Sequence, residues 1–211
     1  MLPTPVRLYT QPRAPNPMRL HLFLAEKGVE VPQTVLNLIE GEHKTADYLA
    51  KVGDAKVPAL ELSDGTVLSE TQAICRYVEA LHPEPNLMGR DPLETAVIEM
   101  WQRRAEFGLF TAVGQTFRHT NPRMGVMEDQ VAEWGEINRG RIDPHLRALD
   151  ERLRGRDWLA ADRYTIADIT AYLAASFRRI IKHPMPDGLE ALTAWMDRIR
   201  DRPATAVLEA K

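Results

Sequence analysis

Apolar and polar residues alternate over Val6-Arg7-Leu8-Tyr9-Thr10, the spacing that puts every second side chain on one face of a strand. Val35 to Ile39 reads as a short apolar strand, and Ala59 to Leu62 and Val67-Leu68 as two more. Between the last two, Ser63-Asp64-Gly65-Thr66 carries the Asp-Gly signature of a tight hairpin. Helical periods separate the strands. Asn16-Pro17 has the residue preferences of a helix start, with Asn16 as the cap, and Gly28 closes that helix after Leu20, Leu22, Phe23 and Leu24. A weaker helix covers Thr45 to Lys51. A third runs from Glu70 to about Leu81, with Ile74, Val78 and Leu81 on one stripe.

Strand signals stop at a segment rich in proline and turn formers, residues 83–90, which reads as a linker. Beyond it the periodicity predicts helices over roughly 91–120, 127–154, 165–182 and 188–201, with a short tail. Thr165-Ile166-Ala167-Asp168 is a capping box with Asp in the place of Glu, and Tyr164 with Ile169 can form a hydrophobic staple. The expected architecture is therefore an α/β domain of order β-α-β-α-β-β-α over residues 1–82, followed by an all-helical domain over 91–211. No internal repeat or low-complexity tract interrupts it.

Composition narrows the function classes. At 211 residues and 44% hydrophobic the chain can bury a substantial core, and a net charge of -3 gives no electrostatic reason to expect nucleic acid or an anionic membrane. No apolar run approaches the roughly 20 residues of a membrane-spanning helix. Met1-Leu2-Pro3-Thr4-Pro5 lacks the basic segment and apolar run of a signal peptide, and the single cysteine, Cys75, fits a reducing compartment, so a cytoplasmic location is expected. Cys75 lies inside the third helix without a Cys-x-x-Cys partner and reads as a buried structural residue. The six histidines lack metal-ligand spacing and no glycine-rich phosphate loop is present, so neither a metal nor a nucleotide is expected.

The chemistry concentrates around Val57-Pro58 and the start of the third helix. A Val-Pro pair just before a short strand is a candidate for a cis peptide in a tight turn. Such a turn would aim the N–H and C=O of Val57 outward, where an extended peptide could pair with them as an added strand. Ser69 with Gln72 reads as a capping box, and the helix it opens presents amide N–H groups and a positive dipole end to a small carboxylate. One site for peptide backbone beside one for an anion points to a short acidic peptide as ligand.

With these residues in place, the chain resembles the cytosolic glutathione transferase superfamily over nearly its whole length. Val57-Pro58, Glu70-Thr71, Thr165-Ile166-Ala167-Asp168 and the helix Arg19 to Gly28 match the family pattern in order. The resemblance implies a thioredoxin-like first domain that binds glutathione as co-substrate, and a helical second domain that forms the electrophile site. Val57 would pair with the cysteinyl backbone after Pro58 has shaped the turn. Glu70 would hold the γ-glutamyl ammonium, and Thr71 the carboxylate beside it. Lys56, His43 and Lys44 would face the glycyl carboxylate. The segment Lys51 to Lys56 departs from the family's Asn-Pro and Gly, which puts a local difference at the glycyl end.

The family activates glutathione by stabilising its thiolate, which is the nucleophile. The usual Ser or Cys donor before Pro-Asn is Ala14 here. Asn16 matches the asparagine that bacterial Nu-like members use, and is the expected catalytic donor to sulfur. The same residue also reads as an ordinary helix cap. Tyr9, on the first strand, reads as structural. The electrophile is expected between the loop at 11–16 and the helix from Asp91 to Thr120, lined by Arg13 and by Phe107, Phe110 and Phe117, with Trp101 and Arg104 on the same helix. The resemblance thus implies a homodimeric enzyme that conjugates glutathione to small hydrophobic electrophiles. A glutathione-dependent peroxidase or disulfide reductase stays open, and so does a non-catalytic ligand-binding protein, the option that Ala14 keeps in view.

Overall fold

In the computed structural model, which describes residues 2–209, strands and helices are interspersed up to Leu81 and every later element is helical. The elements divide into two compact units. The first takes the chain up to Pro85 together with the segment from Pro203 onward, and the second takes Asn86–Arg202.

The first unit is built on four strands, β1 (Pro5–Thr10), β2 (Gln33–Val35), β3 (Ala59–Leu62) and β4 (Val67–Ser69), in the order β2-β1-β3-β4. β1 and β2 are parallel, and the other two pairings are antiparallel. The β3–β4 turn closes as the Asp-Gly pair predicts: Gly65 has φ +85°, and the Thr66 N–H bonds Asp64 Oδ1 at 3.0 Å. The helices are α1 (Pro15–Lys27), α2 (Ala46–Val52) and α3 (Thr71–Leu81), giving the expected β-α-β-α-β-β-α order. Leu8 and Leu60 of the sheet, Leu20 and Phe23 of α1, and Ile74 and Val78 of α3 are fully buried. α1 ends at Gly28, whose left-handed conformation (φ +62°) lets the chain fold back on its last carbonyls.

Three local expectations need correction. The second strand lies at Gln33–Val35 and not at Val35 to Ile39, because β1 stops at Thr10, opposite Val35, and offers no further ladder partner. The cap of α1 is Ala14 and not Asn16: Pro15 already supplies the fixed φ of the first helical position, so the helix starts before Asn16. α3 is capped at Glu70 and not at Ser69, because Ser69 is still paired with Ala59 in the sheet.

The second unit is helical: α4 (Pro92–Ala105), a π-helical turn over Glu106–Phe110, α5 (Thr111–Thr120), α6 (Ala132–Arg139), α7 (Ile142–Leu153), α8 (Ile166–Phe177) and α9 (Glu190–Arg200). The helix expected over 127–154 is two helices. Pro144 lacks an N–H and would set its ring against the carbonyl of Gly140, so the helix breaks there and restarts at Ile142. α8 is apolar on nearly every side and forms the centre of the unit, as an all-round hydrophobic helix must. The capping box at its start is formed, with the Thr165 N–H on Asp168 Oδ2 at 2.9 Å.

Candidate functional site

Strand register decides where the loops of the first unit emerge. β1 and β2 run parallel with Thr10 opposite Val35, so both chains leave the sheet at the same end. β3 runs against β1, with Ala59 opposite Tyr9, so the chain entering β3 lies beside the chain leaving β1. β4 runs against β3, with Ser69 opposite Ala59, so the chain leaving β4 lies beside the chain entering β3. Residues 11–17, 36–44, 56–58 and 70–71 therefore gather at one end of the sheet. Asn16, Arg13, His43, Lys44, Lys56, Val57, Pro58, Glu70 and Thr71 all belong to these segments.

Val57-Pro58 is a cis peptide bond, as the sequence predicts. The sheet ladder begins only at Ala59, so Val57 stands just beyond it at the site end. Glu70 has φ +68° and ψ 116°, one of two non-glycine residues with positive φ among those described. Such a conformation costs about 1–3 kcal/mol for a residue with a Cβ and collects at functional sites. Its effect is to turn the chain from β4 directly into α3, leaving the Glu70 carboxylate exposed and the buried Thr71 as the first helical residue. The amide groups of that first turn have no partner within the helix and suit a carboxylate.

The start of α1 is unusual in its donors. Pro15 and Pro17 have no N–H, and the Met18 N–H is already bonded to the Ala14 carbonyl at 3.0 Å. Asn16 alone contributes a main-chain N–H to the open first turn. Its side-chain oxygen accepts from Nη1 of the buried Arg19 at 3.0 Å, which leaves the NH2 end of the carboxamide as the donor. Both donors of this helix start thus sit on one residue. Gln11 ties the same loop to the neighbouring chain, its Nε2 donating to the Leu36 carbonyl at 3.1 Å.

The three cations expected around a glycyl carboxylate differ in state. Lys56 is exposed, with Nζ 2.8 Å from Asp54 Oδ2. Lys44 is exposed at the end of a short 3-10 turn, Glu42–Lys44. His43 is only 3% exposed; burial, reinforced by the charge of Lys44, holds its pKa below the ordinary value. Beneath these loops lies a network that the sequence did not announce. Tyr9 donates to Glu61 Oε2 at 2.7 Å, and Lys51 Nζ reaches both Tyr9 Oη (3.0 Å) and Glu61 (3.3 Å). Tyr9 is thus tied by its hydroxyl to two other side chains of its unit, and the signal for its partner was only the alternation that brings Glu61 beside it.

In the second unit the aromatic residues are less uniform than their helical spacing suggests. Phe107 is 68% exposed in the π-helical turn, beneath the Arg103 guanidinium at 5.5 Å. It lines a groove of about 480 Å³ with Trp101, Arg104, Gly108, His145 and Leu149. Trp101 carries Arg104 and Arg152 over its ring at 4.8 and 4.7 Å. Phe110 and Phe117 are half-buried and lie outside that lining. Arg13 is exposed on the loop of the first unit. Among the described residues no group of His, Cys, Asp and Glu could hold a metal ion, and no helix is long and apolar enough to cross a membrane.

Comparison with known proteins matches both units to one family. Residues 14–81 match the glutathione S-transferase N-terminal domain, and residues 106–203 match its C-terminal domain. The chain is 38% identical over 205 residues to glutathione S-transferase 2 of Saccharomyces cerevisiae, covering 95% of this chain and 88% of that protein. Among solved structures, Gtt2 of Saccharomyces cerevisiae superposes with a TM-score of 0.91 at 38% identity, covering 96% of this chain and 100% of that one. A glutathione S-transferase domain-containing protein of Marinobacter aquaeolei VT8 gives the same TM-score and identity, covering 94% and 99%. With a thioredoxin-like first unit, a helical second unit and relatives this similar over nearly its full length, the chain belongs to the glutathione S-transferase family.

Proposed function

We propose that this protein conjugates glutathione, through its thiolate, to small hydrophobic electrophiles. The observation that carries the reading is the gathering, at one sheet end, of Val57, Glu70 with its left-handed backbone, and the start of α3. An extended tripeptide with an α-amino acid at one end needs those three groups side by side. The Val57 main chain pairs with the cysteinyl unit, Glu70 binds the γ-glutamyl ammonium, and the Thr71 hydroxyl and N–H bind the adjoining carboxylate. Lys56 and Lys44 attract the glycyl carboxylate from the rim, with His43 beside them in the same loop cluster.

Asn16 stabilises the thiolate with its carboxamide NH2 and its main-chain N–H. A hydrogen bond to a charged group contributes about 1.5–3 kcal/mol, equivalent to lowering the thiol pKa by about one to two units. The helical unit offers the electrophile an apolar surface at Phe107, in the groove it lines with Trp101 and Leu149. The working form is a cytoplasmic homodimer, as in the family the sequence resembles.

Calorimetry with millimolar glutathione, followed by parallel assays with an aryl halide and an organic hydroperoxide, tests the reading. Heat of binding and conjugation of the halide are expected. Turnover of the hydroperoxide alone would assign a peroxidase, and binding without turnover a carrier. Absence of any heat would remove the proposal.

A further inference from the structure

We propose that Tyr48 is a positioning residue for glutathione: its hydroxyl fixes the plane of the Lys56–Val57 peptide so that the Val57 N–H faces the ligand. The inference rests on the reading of Val57 as the backbone docking point and goes one layer beneath it. Tyr48 Oη donates to the carbonyl oxygen of Lys56 at 2.5 Å. The cis bonds among the described residues are Val57-Pro58 and Glu84-Pro85, so the Lys56–Val57 bond is trans. In a planar trans peptide the C=O and N–H point in opposite directions. Holding the Lys56 carbonyl toward the α2 ring therefore turns the Val57 N–H away from it. That N–H is the group that would receive the cysteinyl carbonyl of glutathione.

The hydroxyl can act as a fixed point because Tyr48 is itself held from three sides. Its side chain is buried at 6% exposure, and its main-chain N–H is capped by Thr45 Oγ1 at 3.4 Å. Its ring meets that of Tyr9 edge-on, with centroids 5.8 Å apart. Tyr9 is in turn clamped by Glu61 and Lys51, so the chain of contacts ends in β1 and β3. Burial, reinforced by the charge of Asp54, pushes the Tyr48 phenol up to about 12, and it remains a proton donor throughout the working pH range. The loop it steadies leaves α2 at Val52, turns at the left-handed Gly53, and carries the largely exposed Lys56–Asp54 ion pair. Exposed pairs of that kind contribute little. The signal in the sequence is a tyrosine eight residues before Lys56, which no periodicity distinguishes from a core aromatic.

Tyr48→Phe removes the hydroxyl and keeps the ring. The Kd for glutathione by calorimetry and the KM for glutathione are expected to rise about fivefold, the loss of roughly one net hydrogen bond, with kcat at saturating glutathione within about twofold of wild type. In the wild-type chain, saturating glutathione is expected to slow hydrogen exchange at the Val57 amide at least about tenfold. An unchanged Kd in a folded Tyr48→Phe, with only the denaturation midpoint lowered, overturns the positioning role and leaves the proposed function standing. A Val57 amide left unprotected by bound glutathione overturns the inference without recourse to the variant. A wild-type chain that takes up no heat from glutathione removes both readings together.

Discussion

At the scale of single residues, Glu70 and Asn16 carry opposed demands that mutation can separate. Glu70 holds a backbone conformation that costs about 1–3 kcal/mol, a cost that the proposed ammonium contact of its side chain would offset. Glu70→Gly should therefore raise stability by about 1 kcal/mol in urea denaturation while weakening glutathione binding about 10- to 100-fold in calorimetry. Both quantities moving in the same direction would contradict the assignment. Asn16→Ala should raise the pKa of enzyme-bound glutathione by about one to two units, read from thiolate absorbance against pH. A superimposable titration curve would transfer the role to some other donor. Which of these residues were legible depended on how local their causes are. Val57-Pro58 was readable because a proline before a strand announces its own geometry. The cap of α1 was misread because Asn16 and Pro15 compete for the same position, and the proline, whose φ is fixed, took the first helical place. Tyr48 was invisible because its role depends on a carbonyl eight residues away.

At the scale of elements, the capping box of α8 shows how a local sequence signal can understate a tertiary one. Thr165 and Asp168 announced a helix start, and that much was correct. Asp168 is fully buried and accepts four hydrogen bonds: from the Thr165 N–H and hydroxyl on one oxygen, and from the Leu159 N–H and Trp195 Nε1 on the other, each at 2.9–3.0 Å. Burial pushes its carboxyl above the usual range while those four donors pull against the shift. Removing the side chain strands donors from three residues in the interior. Asp168→Ala should therefore cost about 3–5 kcal/mol in urea denaturation, well beyond the ~1 kcal/mol of an ordinary cap, and Asp168→Asn should cost less because one acceptor remains. A loss of only about 1 kcal/mol in the alanine variant would mean that Leu159 and Trp195 find other partners. The break between α6 and α7 marks the opposite case, where the amphipathic period ran on unbroken but Pro144 overruled it.

At the scale of the molecule, the order of elements was readable because strand periods occur only before Leu81, interspersed with helical ones, and only helical periods follow. Their pairing was not. Nothing in the pattern states that β1 is central, yet the order β2-β1-β3-β4 is what brings four separated loops to one end of the sheet. Nor did the sequence indicate that the chain returns to its first unit after Arg202. The 3-10 segment Pro203–Leu208 packs on α1 with Thr205 buried, and Val207 lines a surface depression with His21, Leu24 and Ala25 of that helix. α1 also carries Asn16 at its other end, so the segment supports the helix on which the proposed thiolate donor is mounted. A chain ending at Arg202 would expose part of that face, at about 1–2 kcal/mol for the apolar surface of one valine and its neighbours. Amides of α1 should then exchange faster by roughly one order of magnitude in hydrogen-exchange mass spectrometry, while those of α8 keep their protection. Because α1 would be loosened rather than unfolded, glutathione should still bind, with its thiol pKa shifted toward the free value. Equal α1 protection in the truncated and full chains would show that this helix holds its place by its contacts with the sheet and α3 alone.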